Sequence, residues 1–374
     1  MRPNRSRVQC EQGRAIAALR ACAVIAAAAA ALALGASARA VSQAQAAPAK
    51  SAVSPAQTAS GAVSGAAPTG STTPQRLVPE MGCPCGIHVP VASAEPHFEE
   101  SMRLTAAGEW SKALGEAEMA ARMGPKNRNY LNQRAVALFN AGRADDAFKV
   151  WNALKEEKVE GCEMTFYLNA LCRKAMWKEA VALAPLAIEN CRTSADAHVL
   201  HAIALQALGR YSEALNESRE ATALDPQSGA AHYQESSVQG DMGNYEASSE
   251  AAARALEIDG KDAAAMAAMA IAKSKQGKTE EAVKWAKDAA KSTSDPAFLR
   301  VAGQVLAGTG KQREAIGAFD RSLASGFDPA TAYDRAAAIE SLGDRAAARQ
   351  AFEDIESRSP GFKDVVSRIA ALKK

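Results

Sequence analysis

From Ala94 onward, small and apolar residues return to fixed places every 33 or 34 positions. With Ala195–Ser228 as the unit, laid on Gly229–Asp262 without a gap, Gly209 falls on Gly243, Tyr211 on Tyr245, Ala221 on Ala255 and Asp225 on Asp259. Carried both ways, the register places unit starts at Ala94, Arg128, Gly161, Ala195, Gly229, Ala263, Pro296 and Pro329. A period of this length marks stacked supersecondary units. The fifteenth position of each unit is Gly, except Ala175 in the third, and the twentieth is Ala throughout, except Ser248. The eighth is small as well (Ser101, Ala135, Ala202, Ser236, Ala270, Gly303, Ala336), with Leu168 the exception. Glycine relaxes the backbone at a turn, and small residues at positions 8 and 20 let two helices approach across it. Each unit is therefore predicted to be an α-helical hairpin. Rings at position 17 (Trp110, Trp177, Tyr211, Tyr245) and position 24 (Trp151, Phe319, Phe352) fill the gaps that the small residues leave between hairpins.

The order G-x-Y-x-x-A, with Ala seven residues further on and Pro near the end (Gly209, Tyr211, Ala214, Ala221, Pro226), resembles the tetratricopeptide repeat (TPR) family from Ala94 to Lys374. The resemblance implies an all-α, right-handed superhelical solenoid of about eight TPR hairpins. A capping helix over 362–374, with Phe362, Val365, Val366, Ile369 and Leu372 on one face, is expected to close its end. In TPR proteins the first helix of each hairpin lines a concave groove through positions 2, 5, 9, 12 and 13. Carried over, these give Phe98 and Met102 in the first unit, then Asn129, Asn132, Val136, Phe139 and Asn140, then Thr165, Asn169, Cys172 and Arg173. Later units contribute Val199, Ile203, Gln206, Tyr233, Ile271, Lys275, Arg300, Gln304 and Tyr333. Asn both donates and accepts, so the early units read as a binding surface for an extended peptide without a strong charge requirement. The competing reading is that Asn is simply tolerated at exposed helix positions. The clamp by which some TPR proteins hold a double carboxylate is excluded, because Met102 and Gln133 stand where it requires Asn.

Charge and candidate chemistry narrow the function. A net charge of +2, with no basic run interleaved with aromatics, argues against nucleic acid as a partner. There is no glycine-rich phosphate loop and no Ser or Cys with an identifiable base. His198 and His201, three apart at positions 4 and 7, read as packing residues rather than metal ligands, as does His232. The chain is expected to be a non-catalytic scaffold for a protein or peptide partner, with no cofactor.

Residues 1–40 read as a Sec-type secretory signal. Arg2, Arg5, Arg7, Arg14 and Arg20 precede the apolar run Ala21–Gly35, and Ala36, Ala38 and Ala40 supply cleavage sites. A retained inner-membrane anchor through 21–35 is the weaker reading, since the run is short of the roughly 20 residues that span a bilayer. Residues 41–93 form a disordered Ala/Pro/Ser-rich linker. Within it, Cys83, Cys85 and His88 are weak metal candidates, beside Met81, against a disulfide or inert reading. Cys162 and Cys191 fall at the same end of the third hairpin and are a candidate disulfide, whereas Cys172 lies ten residues along the helix from Cys162. Together these readings predict a periplasmic scaffold, off the membrane after signal cleavage, that holds a partner segment in its groove. The alternatives are an accessory scaffold of an exopolysaccharide-export or outer-membrane assembly machine, and a metal or redox role at the Cys-Pro-Cys segment.

Overall fold

A computed structural model describes residues 93–157 and 162–373. The signal, nearly all of the linker and the Cys83, Cys85 and His88 segment lie outside them. Within the described residues the chain is all-α: α1 (Glu95–Ala106), α2 (Trp110–Met123), α3 (Arg128–Asn140), α4 (Ala144–Glu156), α5 (Glu163–Arg173), α6 (Trp177–Asn190), α7 (Ala195–Ala207), α8 (Tyr211–Leu224), α9 (Gly229–Asp241), α10 (Tyr245–Ile258), α11 (Ala263–Lys275), α12 (Thr279–Ser292), α13 (Pro296–Gly308), α14 (Gln312–Leu323), α15 (Pro329–Ser341), α16 (Arg345–Arg358) and α17 (Val365–Leu372). Odd-numbered helices through α15 are the first, and even-numbered the second, of successive hairpins. The helices form two compact bodies that divide within α12, between Trp285 and Ala286. In each body every helix packs on the next, and first helices of adjacent hairpins also touch.

The starts of the first helices follow from their caps. The side chains of Asn127, Ser228, Asp262, Asp295 and Asp328 each accept a hydrogen bond from a backbone N–H of the first turn, which satisfies donors that have no partner inside the helix. Pro296 and Pro329 then occupy the first helical position, where a missing N–H is harmless. The ends repeat one device. The residue after position 15 donates its N–H to the carbonyl of position 11, as in Glu109 to Leu104 (2.9 Å), Arg143 to Leu138 (2.9 Å) and Arg210 to Leu205 (2.9 Å). This Schellman closure needs a left-handed residue at position 15, and Gly108, Gly142, Gly209, Gly243, Gly277, Gly310 and Gly343 have φ between 74° and 88°. Ala175 makes the same turn in the third hairpin at φ 55°, with Met176 N–H bonded to the Leu171 carbonyl at 3.0 Å.

Across the turn the small residues meet. In the first body, Ser101 Oγ donates to the Ala113 carbonyl and Ser236 Oγ to the Ser248 carbonyl, each at 2.8 Å, joining positions 8 and 20. In the second body, a Cβ placed on Gly303 would lie 2.5 Å from the ring of Phe319. Trp151, Phe319 and Phe352, all at position 24, are fully buried. Adjacent hairpins are joined on another face, where position 25 of one meets position 7 of the next. Tyr167 donates to Asn152 (3.1 Å) and Arg219 pairs with Glu235 (3.6 Å) in the first body, and Arg335 pairs with Asp320 in the second.

Two expectations are corrected. The capping helix begins at Val365, not 362, because Gly361 (φ 74°) and Lys363 (φ 49°) adopt left-handed backbone that a right-handed helix cannot contain. Val366 also leaves the capping face: it is 60% exposed, whereas Val365 and Leu372 are buried and Phe362 and Ile369 pack against them. In the third hairpin, α6 runs from Trp177 to Asn190 with Pro185 inside it.

The left-handed backbone at Ala175 generates a first prediction. A non-glycine residue there costs roughly 1–2 kcal/mol, so Ala175→Gly should raise the free energy of unfolding in urea by about 1 kcal/mol, despite the added freedom of the unfolded chain. A destabilised variant would contradict this account of the turn.

Candidate functional site

The seven residues singled out for the partner-binding face divide by burial. Phe98, Asn129 and Arg173 are partly exposed, whereas Asn132, Phe139, Asn140 and Asn169 are each less than a tenth exposed. The amides that looked like a peptide-binding row are thus largely drawn into the interior, for a reason that can be named at Asn132. A buried indole N–H needs an acceptor, and Trp151 Nε1 donates to Asn132 Oδ1 at 2.8 Å. Phe139 joins the same aromatic group, 6.2 Å from both Phe148 and Trp151, while Trp151 stacks on Tyr167 at 5.5 Å. The Arg173 guanidinium lies over the Phe139 ring at 5.2 Å, a cation–π contact that covers the ring from the groove positions. Phe98 leans on Tyr130 at 5.2 Å, and the Tyr130 hydroxyl donates to Glu95 at 2.7 Å.

Further along the same helix positions, polar groups remain within reach of solvent. Gln206 of α7 is buried and donates through Nε2 to Ser237 Oγ (2.9 Å) and to Asp241 Oδ2 (2.7 Å), both on α9. Its Oε1 accepts from Gln234 Nε2 at 2.7 Å. Positions 9, 12 and 13 of adjacent first helices therefore meet as one polar cluster. Sequence reasoning had named Gln206 but passed over Ser237 and Asp241. Asp241 occupies position 13, the column of Asn140 and Arg173, so carrying that column through every unit would have found it.

The third hairpin is fastened at its base. Cys162, just before α5, and Cys191, just after α6, form a disulfide with Cα atoms 5.0 Å apart. Beside it Arg128, 3% exposed, donates to Glu163 Oε1 (3.1 Å), Glu157 Oε2 (2.9 Å) and the Leu154 carbonyl (3.2 Å). Breaking a buried pair of this kind strands a charge, so this network ties the second hairpin to the third. Cys172 is buried in α5, outside the disulfide, with its Sγ 3.7 Å from the Leu200 carbonyl.

The histidines of the fourth hairpin face a carboxylate. A carboxylate can only accept, so His198 Nδ1 donates to Glu217 Oε2 at 2.8 Å, and His201 Nδ1 lies 3.2 Å from Oε1. The first hairpin repeats the pairing at the same positions, His97 with Glu116 at 2.6 Å. Burial pushes the Glu217 carboxyl up, but the contacts from His198 and His201 outweigh it and hold it at about 2. Among the described residues no group of three His, Cys, Asp or Glu side chains is arranged to hold a metal ion. No described helix is long and apolar enough to cross a membrane.

A tetratricopeptide repeat family model matches residues 230–262, which cover α9 and α10. Among solved structures, the Cut9–Hcn1 hetero-tetramer of the APC/C is similar at TM-score 0.55 and 12% identity, over 75% of this chain and 56% of that one. A tetratricopeptide repeat protein from Parabacteroides merdae aligns over 75% of this chain and 99% of its own, at 15% identity and TM-score 0.45. A thermophilic TPR protein of Thermus thermophilus aligns over 48% and 99%, at 20% identity and TM-score 0.40. No curated protein matches the sequence significantly. The match identifies α9 and α10 as a tetratricopeptide repeat, and the same hairpin geometry recurs through the other described helices, which gives the chain the all-α solenoid fold of such repeats, a fold that generally serves as a protein-interaction scaffold.

The depressed Glu217 carboxyl sets a pH prediction. A group whose folded pKa lies below its unfolded value adds stability above the unfolded value, and that stability is lost as pH falls through the folded one. Glu217 should therefore contribute down to about pH 4.5 and lose that contribution toward about 2. Glu217→Gln should flatten this limb of a stability-versus-pH curve, with a loss at neutral pH of about 1–2 kcal/mol after allowing for solvent screening. Parallel curves for the two proteins would remove Glu217 from the acid response.

Proposed function

We propose that the chain is a non-catalytic scaffold of the bacterial cell envelope that holds an extended segment of a protein partner on the face formed by its first helices. The observation that carries this reading is the polar cluster of Gln206, Ser237 and Asp241 on those helices. It lies on first helices, as do the partly exposed Asn129 at position 2 and Tyr233 at position 5, within the body that ends at Trp285. An extended segment brings backbone N–H and C=O groups that such side chains can bond.

Two features support the compartment. The Arg-rich start followed by the apolar run Ala21–Gly35 has the order of a secretory signal. The Cys162–Cys191 disulfide suits an oxidising compartment, where such bonds form and persist. The Ala/Pro/Ser-rich stretch then acts as a spacer between leader and repeats.

The test uses the full chain expressed in a bacterial host with an intact envelope. Mature protein from the periplasm should begin near Arg39 or Val41. A photo-crosslinking residue at Asn129 or Ser237 should capture a discrete partner, whereas the same residue at the exposed Arg254 of α10 should not. An N-terminus at Met1 would overturn the exported reading, and equal capture from both faces would overturn the first-helix surface.

A further inference from the structure

Most half-buried carboxylates of the hairpins have a cation beside them. Glu217 has His198 and His201, Glu235 has Arg219 at 3.6 Å, and Asp334 has Arg300 at 2.9 Å. Asp241 has none, and unlike Asp262, Asp295 and Asp328, whose carboxylates accept from backbone N–H groups at helix starts, it does not cap a helix. One of its oxygens accepts from a neutral amide, Gln206 Nε2, at 2.7 Å, and no described Lys, Arg or His forms an ion pair with it. Lys275, at the same position one hairpin on, does not reach it. The amide cannot move away to be replaced by solvent, because Gln206 is 4% exposed, both of its N–H groups are spent on Ser237 and Asp241, and its oxygen is held by the buried Gln234. Burial raises the Asp241 carboxyl, and the bond from Gln206 offsets only part of that rise. A carboxylate withdrawn from water without a counter-ion is unfavourable, and an arriving cation offsets that cost.

Resting on the reading of the first-helix face as the binding surface, we propose that Asp241, positioned by Gln206 and flanked by Ser237, is a subsite for a lysine or arginine side chain of the bound segment. Its polarity is the reverse of a carboxylate clamp: the scaffold supplies the anion and the partner the cation. Ser237 Oγ, which accepts from Gln206, keeps its own O–H to donate to the partner backbone. The partner is thus a basic segment, recognised at one position by charge and elsewhere by main-chain bonds.

Two measurements test this. In the first, a random-peptide display library is selected on the full chain and on Asp241→Asn, which keeps the shape and an acceptor for Gln206. Peptides won on the wild type should carry Lys or Arg at one fixed position and lose about tenfold in affinity for Asp241→Asn. Their norleucine counterparts should bind both proteins alike. Selected peptides without a fixed basic position, or with the same enrichment on Asp241→Asn, would overturn the subsite. The second measurement needs no peptide. The Asp241 side-chain carboxyl is followed by carbon NMR as pH is varied, in ethylguanidinium chloride and in sodium chloride at equal ionic strength. Guanidinium should lower its pKa, and identical titrations would overturn the proposal. Selected peptides indifferent to substitutions at Asn129 and Ser237 would refute the first-helix surface, while the NMR titration would still decide whether Asp241 binds a cation.

Discussion

In seven of the eight hairpins the two helices come together where positions 8 and 20 both carry little side chain, the third, with Leu168 at position 8, being the exception. Serine meets that limit by turning its hydroxyl onto the facing carbonyl, as Ser101 does with Ala113 and Ser236 with Ser248. Glycine meets it at position 303, where the room that a methyl group would take is filled by the ring of Phe319. Because interiors are packed like crystals, the spacing set there fixes where the position-24 rings lie. The Schellman closure at position 15 then returns the chain so that the second helix can use the spacing. The turn and the close approach are one constraint seen at two places.

Once hairpins share that geometry, neighbours meet through the same positions each time, and chemistry varies within a fixed frame. Position 25 faces position 7 of the next hairpin as a hydrogen bond between Asn152 and Tyr167, and as ion pairs of opposite polarity in Arg219–Glu235 and Asp320–Arg335. Exposed pairs of this kind contribute about 0–1 kcal/mol each, so they select register more than they supply stability. The third hairpin departs most from the common pattern, with Leu168 at position 8, Ala175 at the turn and Pro185 within α6. It also carries the disulfide, which closes a loop with a sequence separation of 29. Chain-entropy models assign such a loop about 3–4 kcal/mol, enough to offset strain at the turn and the proline.

The helices were legible in the sequence because the repeat prints its turn glycine and small residues in nearly every unit, and one unit can correct another. The register also placed Cys162 and Cys191 at the same hairpin end. The binding face was legible only as a set of positions. Whether a given Asn faces a partner or the interior depends on what its neighbours need. At Asn132 the indole of Trp151, 19 residues away, takes the amide oxygen. Asp241 carries no signal by itself; what distinguishes it is a side-chain amide where most half-buried carboxylates have a cation or cap a helix, which only the packing of α7 on α9 reveals. The end of the chain was misread for a backbone reason. The apolar pattern around Phe362 continues that of a helix, but the left-handed residues at Gly361 and Lys363 break it before Val365.

The dependence on close approach is tested most directly by one substitution made at two helical glycines and read as the free energy of unfolding. At Gly317, within α14, an added methyl group meets nothing within 4 Å, so Gly317→Ala should gain about 0.5–1 kcal/mol from helix propensity. At Gly303, within α13, the methyl group would lie 2.5 Å from the Phe319 ring. Gly303→Ala should therefore lose about 1–3 kcal/mol to overpacking. Opposite signs support close approach as the governing constraint; equal gains at both sites would contradict it.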